Sequence, residues 1–107
     1  GGIAMASPEG GVVSAGQGVI AHVPSDTIIT QSSDRMVIDW QSFDVKANER
    51  VTFNQHSNND IALNRIHDIK PSQIDGVLVA RARCYSARSR LSMAPLAEWL
   101  AAPIGRQ

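Results

Sequence analysis

From residue 12 to residue 80 the apolar positions recur in short alternating runs, and each run stops at a cluster of turn-formers. Alternation with a period of two marks strands, because successive side chains leave a strand on opposite faces; no run has the 3.6-residue period of a long amphipathic helix. Gly10-Gly11 leads into Val12-Val13, Gly16 and Gly18 bracket a turn before Val19, Ile20 and Val23, and Pro24-Ser25-Asp26 closes that strand. Residues 27–31 form the next run. After it, Met36, Ile38 and Trp40 share one face, and the apolar parity then moves to Phe43 and Val45, which predicts a bulge or corner near Ser42. Val51 and Phe53 oppose Thr52 and Asn54, Ile61 and Leu63 repeat that pattern against Ala62 and Asn64, and residues 76–80 make the final run.

The breaks at Ala47-Asn48-Glu49, at His56-Ser57-Asn58-Asn59 and from His67 to Ser72 are too short for crossover helices. Two all-β architectures remain: a sandwich of hairpins, or a coil of parallel strands in which three short strands per turn stack on the turn below. Periodicity does not choose between them. Asn58 and Asn59 suit a turn, whereas Asn54 and Asn64 alternate with apolar partners and suit either an outward face or an internal ladder. Trp40 and Phe43 are expected in the core, since only 5% of the residues are aromatic.

The chain of 107 residues, 43% of them hydrophobic, has room for one domain with a modest core. Its character changes after Ala80, from Val, Ile, Thr and Asn to Arg, Ala, Ser and Leu, and the strand pattern is expected to stop there. Residues 81–107 read as a divergent, poorly ordered tail with a short helix over 95–102, where Pro95 occupies the first turn and Leu96, Trp99 and Leu100 share a face. Ten basic and ten acidic residues cancel overall, but Arg81, Arg83, Arg88, Arg90 and Arg106 face only Glu98 in the tail, so residues 1–80 are acidic. Such a basic run attracts polyanions at most non-specifically, and no specific nucleic-acid partner is expected. Cys84 is the lone cysteine. A cysteine-free stretch ahead of it suits a chain threaded unfolded through an oxidising periplasm. No apolar run approaches the roughly 18 residues of a membrane span. Residues 1–9, with Ala4-Met5-Ala6 in a small-x-small pattern, read as a signal-peptide remnant or leader, or as a cloning remnant.

Little in the chain points to catalysis. His22, His56 and His67 fall in different turns or strand ends, without the spacings that gather metal ligands, and no nucleophile motif singles out a Ser-His-Asp set. Asp34 and Asp39 do not by spacing define a glycosidase pair, and the glycines at 10, 11, 16 and 18 lack the Gly-Lys-Ser/Thr of a phosphate loop. The expectation is no enzyme, no cofactor and no metal.

Six ordered blocks give the chain a family likeness: Gly10-Gly11-Val12-Val13-Ser14-Ala15-Gly16, Gln31-Ser32-Ser33-Asp34-Arg35, Ile38-Asp39-Trp40-Gln41-Ser42-Phe43, Val51-Thr52-Phe53-Asn54-Gln55, Ala62-Leu63-Asn64-Arg65 and Pro71-Ser72-Gln73-Ile74-Asp75-Gly76. With these, residues 10–80 resemble the haemagglutination-activity domain at the N-terminus of filamentous haemagglutinin-like proteins exported by two-partner secretion. The resemblance implies a right-handed parallel β-helix with a capped N-terminal end. It also implies an exported recognition and folding module, read by the periplasmic domains of a cognate outer-membrane β-barrel transporter. The full-length relatives are adhesins or toxins, through which contact with a host-cell surface or glycans would arise. A rival reading is a surface adhesin or carbohydrate-binding β domain that touches its ligand directly; another is a non-functional gene fragment. Candidate partner-recognition residues are Gln31, Ser32, Ser33, Asp34, Arg35, Trp40, Gln41, Phe43, Asn64, Arg65, Pro71, Ser72 and Gln73.

The likeness breaks after Ala80, where the family continues through a Gly-Gln-Val strand and an Asn-Pro-Asn-Gly turn. One permitted coding of Arg81-Ala82-Arg83-Cys84-Tyr85 is CGG GCC AGG TGC TAC, which read two bases later gives Gly-Gln-Val-Leu. A frame change is therefore expected to account for the tail.

Overall fold

The alternating runs become eight strands: β1 (Val12–Ala15), β2 (Gly18–Val23), β3 (Asp26–Gln31), β4 (Arg35–Trp40), β5 (Arg50–Gln55), β6 (Ile61–Ile66), β7 (Val77–Ala80) and β8 (Arg83–Arg88). The structure, a computed structural model, describes residues 7–88, with side chains as far as Ser86. The helix expected over 95–102 lies outside the described residues.

Strands β3, β5 and β7 pair in parallel in one sheet, and β4, β6 and β8 pair in parallel in a second. A parallel bridge between Val45 and Ile74 adds a third side. The chain thus winds through three sides and returns one layer further on, which settles the choice left open by periodicity in favour of the β-helix. β1 and β2 pair antiparallel with β4 and β3, so the same end of each sheet carries one strand of reversed direction. Gly16, in the turn between β1 and β2, has φ of +77° and lies so close to Arg35 that a Cβ would meet the carbonyl oxygen. No side chain fits that approach.

Inward-facing residues of the two sheets and the third side make one core: Ile29, Met36, Ile38, Trp40, Phe43, Val45, Val51, Phe53, Ala62 and Ile66 are all buried. The corner predicted near Ser42 is present. Ser42 bridges to Glu9, and the chain turns there so that Phe43 and Val45 re-enter the core on the third side. Trp40 and Phe43 meet edge to face with centroids 5.3 Å apart across this corner.

Two sequence expectations change. In β6, Ala62, Asn64 and Ile66 point inward while Ile61 and Leu63 lie half-buried on the outer face, the reverse of the parity expected from Ile61 and Leu63. Asn64 accepts the Trp40 indole N–H at 2.8 Å, and that buried donor, together with Ile66, sets the parity. The strand pattern also continues past Ala80. β8 pairs with β6 along its whole length, burying Cys84 and Ser86 beneath it. The chain's change of character after Ala80 hides this strand from a hydrophobicity reading: Arg83 is exposed and Tyr85 half-buried on one face, while Cys84 and Ser86 turn inward.

Candidate functional site

Each coil turns a corner between its two sheets, and parallel register stacks the corners. Ser32-Ser33-Asp34 joins β3 to β4, His56 to Asp60 joins β5 to β6, and Arg81-Ala82 joins β7 to β8. Below these turns Gln31 and Gln55 form a buried ladder: Gln55 Nε2 donates to Gln31 Oε1 at 3.0 Å, and Gln31 Nε2 donates to the carbonyls of Ser33 and Ile61. Gln55 Oε1 accepts the backbone N–H of Ala82 at 2.7 Å. Ser33 Oγ accepts the N–H of Gln17 and donates to the Arg35 carbonyl, tying the turn between β1 and β2 to the first coil's turn.

At the other end of β4 lies a second cluster. Arg65 grips Asp39 with two hydrogen bonds of 2.8 and 2.9 Å, and His67 Nε2 stands 2.7 Å from Asp39 Oδ1. The Arg65 guanidinium, first, and His67 hold the Asp39 carboxyl well below the usual carboxylate range, against the opposing effect of partial burial; the same contact raises Arg65. Beyond it the 67–73 loop folds back on the third side, where Gln73 takes Asp44 Oδ1 at 2.8 Å through its backbone N–H and accepts the N–H of Val45. An open groove of about 370 Å³ runs along this loop, lined by Asp44, Lys46, Asp68, Lys70, Pro71 and Gln73.

The structure therefore separates the candidate recognition residues into two corners. Gln31 to Arg35 occupy one, while Trp40, Gln41, Phe43, Arg65 and Pro71 to Gln73 gather around the other, a strand's length of roughly 17–20 Å away. Ser32, Asp34, Arg35, Gln41, Pro71 and Gln73 are exposed, and Ser33, Arg65 and Ser72 are half-buried. Gln31, Trp40, Phe43 and Asn64 lie inside the core, so in the folded domain they are not surface contacts. Their matched blocks reflect what the coil needs to close: two rungs of a ladder, an indole and its acceptor. Burial pushes the Cys84 thiol up to about 12, so it stays neutral. Sequence spacing misses one grouping altogether: Asp34, His56 and Asp60 converge at the stacked turns, because neighbours in successive coils are far apart along the chain.

The described residues thus form a capped β-helix in which Gln31, Trp40, Phe43 and Asn64 build the coils themselves. A family model, the TPS secretion domain, matches residues 4–85. A heme/hemopexin-binding protein of Haemophilus influenzae strain Rd is 35% identical over 80 residues, 75% of this chain and 9% of the relative. A second protein of that name from Haemophilus influenzae is 41% identical over 59 residues, 55% of this chain and 6% of the relative. Among solved structures, the secretion domain of HMW1 from Haemophilus influenzae superposes with a TM-score of 0.70 and 30% identity, over 76% of this chain and 22% of that one.

The chain belongs to the TPS secretion domain family. It is a secretion-recognition module of a two-partner system, directed to a cognate outer-membrane transporter and exported through the periplasm of a Gram-negative bacterium. This is a family of secretion domains of exported proteins, not an enzyme family. The chain spans less than a tenth of the length of the curated relatives and about a fifth of the solved secretion domain.

Proposed function

We propose that this module addresses a longer exoprotein to the periplasmic domains of its transporter and then nucleates that protein's folding outside the cell. The family match over residues 4–85 carries this reading. Two modes of recognition divide the candidate residues. The exposed turn residues Ser32, Asp34, Arg35, Pro71 and Gln73 are available on the folded domain, whereas Gln31, Trp40, Phe43 and Asn64 are available only while the chain is extended. An extended segment can add to the edge of a partner's sheet through its main chain, with alternate side chains supplying specificity. Once the first coils close, they offer a template for the next, because each coil buries its apolar face only when another stacks on it.

The exported protein is proposed to finish at the cell surface or in the medium, as an adhesin or binding protein contacting host-cell surface components or glycans through parts beyond this module. The names of the two relatives make a haem-carrying host protein one such ligand class. The test is secretion of the full-length protein with its transporter, together with capture of the module by the transporter's purified periplasmic domains. Asp34→Lys with Arg35→Glu should lower both capture and export while the melting temperature holds. If export and capture are unchanged by that pair and by Pro71→Ala with Gln73→Ala, neither corner is the address.

A further inference from the structure

The stacked turns carry a group of side chains that the secretion reading does not use. Asp34 ends the turn of one coil, His56 opens the turn of the next and Asp60 closes it, and a ligand atom from each lies within 4.8 Å of the others. The parallel register of β3 on β5 and β4 on β6 produces this arrangement.

His56 Nδ1 lies 2.7 Å from Asp60 Oδ2, an oxygen that also accepts the backbone N–H of His56 at 2.9 Å and of Ser57 at 3.3 Å. With the ring proton on Nδ1 facing that carboxylate, Nε2 keeps its lone pair and stands 3.8 Å from Asp34 Oδ1. The second oxygen of Asp60 is buried and accepts no hydrogen bond. The Asp60 side chain is only 1% exposed, and among the described residues its ion-pair partner is His56 alone. A buried carboxylate oxygen without a protein donor is met by water or by positive charge close by.

We propose that Asp34 and His56 bind a divalent transition metal of the zinc type, through Asp34 Oδ1 and His56 Nε2, with Asp60 holding the ring from behind and water completing the shell. Imidazole and carboxylate are zinc ligands, and a ligating histidine usually donates its other N–H to a carboxylate, the part that Asp60 plays here. Two ligands about 2.0–2.1 Å from a tetrahedral ion stand roughly 3.4 Å apart, so closing the 3.8 Å gap takes a few tenths of an ångström. Asp34 can make that shift, since its side chain is 93% exposed. The ion ties the turn of one coil to the turn of the next.

The test is titration of the tag-free full chain with zinc chloride at pH 7.5 by calorimetry, paired with thermal melting. One zinc per chain should bind and raise the melting temperature. Asp34→Asn should weaken binding by at least about tenfold, His56→Ala should abolish it, and His22→Ala should leave it unchanged. Absence of saturable binding overturns the proposal, as does binding that survives Asp34→Asn undiminished or disappears with His22→Ala. Should His56→Ala fail to fold, Asp34→Asn decides alone, because that side chain stands in solvent.

Discussion

Asn64 shows how one residue can govern a strand. It is fully buried, accepts the Trp40 N–H and donates to the Tyr85 carbonyl, so it links three successive layers of one sheet. Removing it leaves a buried indole N–H without an acceptor. Asn64→Ala should lower stability by about 2–3 kcal/mol in urea unfolding. In a Trp40→Phe background, where no indole donor remains, the same change should cost about 1–2 kcal/mol less. Additive losses would mean that the hydrogen bond is not what holds Asn64 inward. Asp39 makes a second, pH-dependent contribution. Its folded carboxyl lies below the ordinary 3.8, so the unfolded chain takes up the proton first as pH falls, and the contribution of the Arg65 contact is full above about pH 4 and fades below it. Asp39→Asn should therefore be less stable than the parent at pH 7, with the gap closing as pH drops through about 4 to 2, and smaller throughout in high salt because the pair is partly exposed. A gap independent of pH would assign the loss to packing instead.

At the scale of elements, the glutamine ladder shows where stacking is complete and where it is not. Gln31 and Gln55 occupy equivalent places in β3 and β5, and the next place in that register is Ala82, whose backbone N–H meets Gln55 Oε1 directly. Ala82→Gln adds a third rung whose amide can donate to the same oxygen. The variant should melt at a higher temperature, and a melting temperature equal to or below the parent's would show that the corner after β7 has no space for a rung. Were residues 81–85 coded so as to hide Gly-Gln-Val-Leu in another frame, that string would put a glutamine at this place and a leucine at the buried place of Cys84. Breaking the ladder is the converse test: Gln55→Leu strands the Gln31 carbonyl and the Ala82 N–H, and should cost about 2 kcal/mol or more by the same unfolding measurement.

For the whole molecule, the two ends of the helix differ. Each outermost strand has a single pairing neighbour among the described residues, but β1 and β2 at one end run antiparallel to theirs, whereas β7 and β8 at the other continue the parallel stacking. Strands paired on one side only are templates for another chain. Sedimentation of the 107-residue chain should show association that rises with concentration, and appending the next coils of the exoprotein should suppress it. A monomer at every concentration would mean that this end is covered.

The strand runs were legible in the sequence because a side chain's face follows parity along the chain, and the faces expected for β4 and β5 are the ones observed. Turn positions and the corner at Ser42 were legible for the same local reason. The inward turn of Asn64 was not, because it depends on an indole 24 residues away, nor was β8, whose inward positions are Cys84 and Ser86 rather than large apolar residues and which pairs on β6. The recognition blocks were found as sequence, but only tertiary structure divided them into surface turns and buried rungs. The convergence of Asp34, His56 and Asp60 likewise belongs to the stacking of coils. The sequence by itself determined the strands and turns, through local alternation and turn chemistry; tertiary structure decided the layers, since stacking sets which distant residues meet.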